Sequence, residues 1–149
     1  MKYLSLILLI NLSFFKPENV KDYSGSWAFS GDDFENILTL EKVKGKANTY
    51  KFTFDCWRIS YDFITKENQK FFGGMEGDVY VFDIVDNKAI YSDYGREYEN
   101  GESLYLDGEE RCKVYFEFNK NSINVDTEVC NIMYAGWGVS FDGEYFLKK

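Results

Sequence analysis

Tyr50-Lys51-Phe52-Thr53-Phe54-Asp55-Cys56 alternates apolar and polar residues without interruption. Successive side chains of a β-strand point to opposite faces, so the even positions Tyr50, Phe52, Phe54 and Cys56 form one face, expected to be buried. The segments around it keep the same short period. Upstream, Ser24 to Phe29 opens the domain, Gly31-Asp32-Asp33 turns it, and Ile37 to Val43 reads as a strand that Lys44 to Asn48 reverses. Downstream, Ile59 to Ile64 either prolongs the Tyr50 strand or starts another, ahead of a polar turn at Lys66 to Lys70. Asp78 to Ile84 and Lys88 to Ser92 flank Asp86-Asn87, a hairpin signal.

A second hairpin pairs Cys112 to Phe118 with Ile123 to Val129 across Asn119-Lys120-Asn121-Ser122. Burying Val114, Phe116 and Phe118 together with Ile123, Val125 and Val129 sets Phe118 opposite Ile123. That register places Cys112 opposite Val129 rather than Cys130, so a bridge between these cysteines requires a bulge or the end of pairing near Cys130. The chain closes with Val139, Phe141, Gly143, Tyr145 and Leu147 on the inward face of a last strand. If a barrel forms, that strand pairs with the one carrying Trp27.

Seven to nine short strands, with helical periodicity nearly absent, define an all-β chain. Closing the sheet on itself removes exposed edges, and this predicts a small antiparallel, closed or nearly closed barrel of about eight strands over residues 20–149. The composition agrees: 19% of residues are aromatic, with 14 Phe, 12 Tyr and 3 Trp, side chains that fit pleated surfaces. The single proline, Pro17, lies ahead of all the strands, so none is barred from a ladder by a missing N–H.

Residues 1–19 read as a secretory signal or N-terminal anchor: Lys2 precedes an apolar run from Tyr3 to Phe15 broken only by Ser5, Asn11 and Ser13. The run falls short of the roughly 20 apolar residues a stable membrane span needs. An exported protein, periplasmic or extracellular, follows as the expectation. Without that segment, which holds Lys2, Lys16 and Glu18, the net charge moves from −8 to −9. Such acidity repels nucleic acid and attracts basic proteins, raising encounter rate more than final affinity.

Disulfides persist in an export compartment, and three cysteines there give one bridge and one free thiol. Connectivity stays open at this point, with Cys112–Cys130 and a bridge from Cys56 to either one as the alternatives. The chain contains no histidine. His-based nucleophilic triads, a histidine general base and His-containing zinc sites are thereby excluded, and no metal or cofactor is expected. Carboxylate pairs such as Asp126 with Glu128 and Asp142 with Glu144 fall on the polar faces of their strands and read as solvated rather than catalytic. Gly73-Gly74-Met75-Glu76-Gly77 lacks the lysine and following helix of a phosphate loop and reads as a strand break.

Ser24-Gly25-Ser26-Trp27, Leu38-Thr39-Leu40, Gly77 to Phe82, Ala89-Ile90-Tyr91, Cys112 to Phe118, and Cys130 with Gly138 to Tyr145 together resemble small exported bacterial barrel proteins of the lysozyme-inhibitor-like, calycin-like group. The resemblance covers most of residues 24–147. It implies an eight-stranded, lipocalin-like barrel, a Cys112–Cys130 disulfide, and a non-enzymatic protein that blocks a basic, cell-wall-acting enzyme such as a lysozyme, or neutralises a toxin. The chain departs from the inhibitory members in that Ser24-Gly25 is followed by Trp27 and Ala28, without their tyrosine. A barrel carrying a small apolar ligand, or an envelope protein of another role, are the alternatives. For a partner surface, Asp93 to Glu110 is the longest loop, and its Tyr94, Glu97, Tyr98, Asp107 and Glu109 combine tyrosine anchors with acids suited to a basic partner.

Overall fold

The computed structural model describes residues 21–75, 80–93, 112–136 and 138–149. Among these residues nine strands are formed, β1 (Gly25–Ser30), β2 (Phe34–Lys42), β3 (Thr49–Asp62), β4 (Glu67–Gly74), β5 (Tyr80–Asp83), β6 (Lys88–Asp93), β7 (Cys112–Phe118), β8 (Ser122–Glu128) and β9 (Gly143–Leu147), with one short helix, α1 (Cys130–Tyr134). All pairs are antiparallel, in the order β4-β3-β2-β1-β9-β8-β7-β6, with β5 paired to the first residues of β3. The sheet curls into a barrel that stays open. Its described path ends at β4 on one side and β6 on the other, and β5 links the two sides by returning to β6 through a tight turn. Asp86 and Asn87 both take positive φ there, 51° and 60°, as a two-residue hairpin turn requires, and Val85 and Lys88 exchange backbone hydrogen bonds.

The even face of the Tyr50 strand is buried as the alternation predicts: Tyr50, Phe52, Phe54 and Cys56 are all at most 1% exposed. Aromatic rings fill the interior. Phe52 packs at 5.1 Å from both Tyr91 and Phe116, Phe54 lies 5.0 Å from Phe141, and Phe82 stacks 4.7 Å from Phe116. One end of the barrel is closed by Tyr23 against Phe118 and Trp27, with the Trp27 indole N–H donating to the Tyr23 carbonyl at 3.0 Å.

The β7–β8 register is the one the apolar pattern requires, with Phe118 opposite Ile123 and Lys113 opposite Glu128. Pairing stops there because Val129 adopts a left-handed conformation (φ 69°), and α1 begins at Cys130. This turn brings the Cys130 Cα to 4.9 Å from that of Cys112, and the two are disulfide-bonded. Cys56 is the free, buried thiol.

Three local expectations are corrected. Lys66 to Lys70 is not a polar turn: the turn comes earlier, and Glu67–Gly74 is strand β4, which ends at Gly74 within the glycine-rich stretch expected to break a strand. Polar residues suffice for an edge strand whose one neighbour, β3, supplies the ladder. The last strand covers only Gly143–Leu147. Val139 and Phe141 are buried, but side chains rather than a ladder satisfy this stretch: Asn131 Oδ1 accepts from the Phe141 N–H at 2.8 Å, and Asn36 Nδ2 donates to the Ser140 carbonyl at 2.7 Å. Leu147, expected inward, is 53% exposed because it lies at the barrel rim, opposite Trp27 in the expected pairing of β1 with β9.

Candidate functional site

Within β3 the apolar pattern changes phase. Up to Cys56 the even positions are apolar; from Trp57 on, the odd positions are, in Trp57, Ile59 and Tyr61. A bulge would rotate the later residues back toward the core, yet β3 pairs without one, both with β2 from Phe34↔Arg58 to Lys42↔Tyr50 and with β4 from Asp55↔Gly74 to Asp62↔Glu67. The second half of β3 therefore turns its apolar side chains away from the barrel interior. Phe72 of β4, opposite Trp57, and Lys70, opposite Ile59, share that face.

The result is a hairpin with an apolar outer surface. Ile59 is 41% exposed, Tyr61 45%, Phe72 63%, and Ile64 at the tip 92%. Lys70 lays its ammonium over the Trp57 ring, 4.0 Å from its centroid, and 5.2 Å from that of Phe72. The Trp57 indole N–H points to Glu35 Oε2 at 3.4 Å, and Glu35 also pairs with Lys148 at 3.0 Å, a bond that holds its carboxyl below the usual carboxylate range.

The opposite face of the hairpin is polar. Arg58 donates to the Gly138 carbonyl at 3.2 Å and pairs with Asp33 at 3.6 Å. Further out, Asp62 lies directly opposite Glu67. Like charges in that position repel, and neither carboxylate forms an ion pair among the described residues.

Cavities also open to solvent among the described residues, two of which are the following. One, about 370 Å³, is a groove along β6, β7 and β8 lined by Lys88, Ile90, Tyr115 and Asp126 among others. The other, about 210 Å³, lies between Phe29, Phe34, Asn36, Arg58 and Asp142. Asp142 is not a solvated carboxylate, as its place on a polar face suggests. It accepts from Thr127 Oγ1 and Asn131 Nδ2 at 2.7 Å and from Ser140 Oγ at 2.8 Å, so it anchors the chain before β9. Asp126 and Glu128 are exposed, and Glu128 accepts from the Tyr115 hydroxyl at 3.0 Å. No group of three or more metal-ligating side chains occurs among the described residues.

Of the residues singled out from sequence, Cys112 and Cys130 are brought together. Tyr94, Glu97, Tyr98, Asp107 and Glu109 lie outside the described residues, as does the N-terminal segment 1–19. Among the described residues no helix is long and apolar enough to cross a membrane. The outer face of the β3–β4 hairpin lies outside the residues singled out from sequence, although its signal, a change of apolar phase inside one strand, stands in the sequence.

No protein-family model, no curated protein and no solved structure matches the chain.

Proposed function

We propose that the chain is an exported, non-enzymatic binding protein that docks a basic protein partner through the outer face of the β3–β4 hairpin. The observation that carries this reading is the exposed cluster of Ile59, Tyr61, Ile64 and Phe72 beside Trp57. Large apolar side chains grouped on one surface are what interaction sites present, and aromatic anchors dominate the energetics of such sites. The net charge of −8 selects the sign of the partner, which it attracts by raising the encounter rate. The resemblance to lysozyme-inhibitor-like barrels adds a class, a basic cell-wall-acting enzyme or a toxin. An interior filled with rings favours docking over the carriage of a small apolar ligand.

The test is surface-immobilised protein against a panel of basic lysozymes at low and raised salt. Binding should weaken as salt rises, and Ile59→Lys or Phe72→Lys should weaken it by at least about tenfold, the effect of losing one interface anchor. Both positions are exposed, so the variants should fold. Absence of binding to every basic lysozyme at low salt sinks the lysozyme version, and wild-type affinity in both variants removes the hairpin face.

A further inference from the structure

We infer that the outer edge of β4 receives an extended segment of the partner as an added strand, one in which basic and apolar residues alternate. The inference rests on the docking reading above and specifies its form.

The edge already accepts backbone. Gly136 N–H donates to the Phe72 carbonyl at 2.8 Å and Gly73 faces Ala135 in an antiparallel bridge, so this chain itself begins a strand on that side and then leaves it. Because Phe72 directs its carbonyl outward, the alternation of an antiparallel ladder directs the backbone N–H and C=O groups of Lys70 and Asn68 outward too. Beyond Phe72, β4 is the last strand of the described sheet.

Past Phe72, three usual safeguards of an edge are missing among the described residues. β4 contains no proline, and its eight consecutive pairs with β3 leave no bulge to twist the edge away. Its lysine, Lys70, is folded over the Trp57 ring rather than projecting as a guard.

The two faces of the hairpin then dictate the sequence of the added strand. Side chains on its outer side lie against Asn68 and Lys70 of β4 and border the Trp57, Ile59, Tyr61 and Phe72 surface, so apolar residues there extend it. Those on the other side lie against Glu67 and Gln69 of β4, with Asp62 behind Glu67 on β3, so a lysine or arginine belongs opposite Glu67. With a period of two, these demands fall on alternate residues. A second copy of this chain fits poorly, since it brings its own Glu67 to these acids and its own charge of −8.

The probe is a short synthetic peptide alternating lysine with leucine, compared with a peptide of the same composition in two blocks and with the alternating peptide N-methylated on alternate amides. The alternating peptide should protect the Asn68 and Lys70 amides from hydrogen exchange and bind at least about tenfold more tightly than either control, the loss expected when two ladder hydrogen bonds go. Equal binding of all three peptides, or binding that leaves both amides exchanging freely, overturns strand addition. A basic lysozyme that binds the wild type and loses affinity for Ile59→Lys, with Asn68 and Lys70 unprotected in the complex, keeps the docking face while removing the added strand.

Discussion

Gly143 marks how tightly the rings of this core are set. A Cβ at that position would lie 2.2 Å from Phe29 Cδ1 and 2.4 Å from Cε1, and the Phe29 ring is itself held 5.0 Å from Phe34 and 6.0 Å from Tyr145. Gly143→Ala should therefore cost about 1–3 kcal/mol by overpacking, read as a lower denaturant midpoint. An unchanged midpoint would mean the Phe29 ring can swing aside at no cost. At this scale the sequence was legible where side chains act through burial alone, as for Phe52 and Phe54. It misled where a polar side chain finds local partners. Asp142 sits on the polar face of its segment by pattern, but Asn131, Ser140 and Thr127 converge on it only once α1 and β8 are in place.

Between elements, the β7–β8 hairpin shows register and covalent chemistry in conflict and how the backbone resolves it. Apolar pairing puts Cys112 opposite Val129, one residue away from its disulfide partner. The left-handed turn at Val129, which a β-branched residue adopts only at a cost of about 1–2 kcal/mol, ends the ladder so that Cys130 can reach back. The bridge offsets that cost. It spans 18 residues of sequence, and the chain-entropy model gives about 3 kcal/mol for a loop of this size. The double variant Cys112→Ser with Cys130→Ser should lose stability of that order in equilibrium unfolding; a loss near zero would show that strain at Val129 cancels the constraint. The need for a break near Cys130 was readable from the register, but its form was not, since nothing in valine announces a positive φ. Strand β4 is hidden in the sequence for a related reason. Glu67-Asn68-Gln69-Lys70 has the composition of a turn, and it becomes a strand because β3 runs past the barrel and offers it an edge.

For the molecule as a whole, burial of weak acids sets the alkaline limit. Burial pushes the Cys56 thiol up from its ordinary 9.0 to about 12, and raises Tyr145 and Tyr50 above their ordinary 10.0. Each group keeps its proton in the folded chain at pH values where the unfolded chain releases it. Their stability contribution is complete below pH 9 and is lost as pH rises, first through Cys56 and then, above 10, through the tyrosines. Unfolding free energy measured from neutral pH upward should fall beyond pH 9, with Cys56 unreactive to thiol reagents until the protein unfolds. A flat profile to pH 11, or alkylation of the native protein, would contradict the buried thiol.

The sequence alone determined what depends on a local period and on pairing neighbours: an all-β chain, the buried even face of β3, the Asp86-Asn87 turn and the β7–β8 register. A strand's alternation is written in adjacent residues, so no distant contact is needed to see it. Tertiary structure decided which strand forms the edge, how far the barrel closes, and which side of the β3–β4 hairpin faces solvent. Those outcomes depend on residues far apart in the chain, Gly73 with Ala135 or Trp27 with Leu147. Trp57, Ile59 and Tyr61 keep the period of the core strand before them but in the opposite phase. They become a candidate docking surface only because the barrel lies on the other side of the strand.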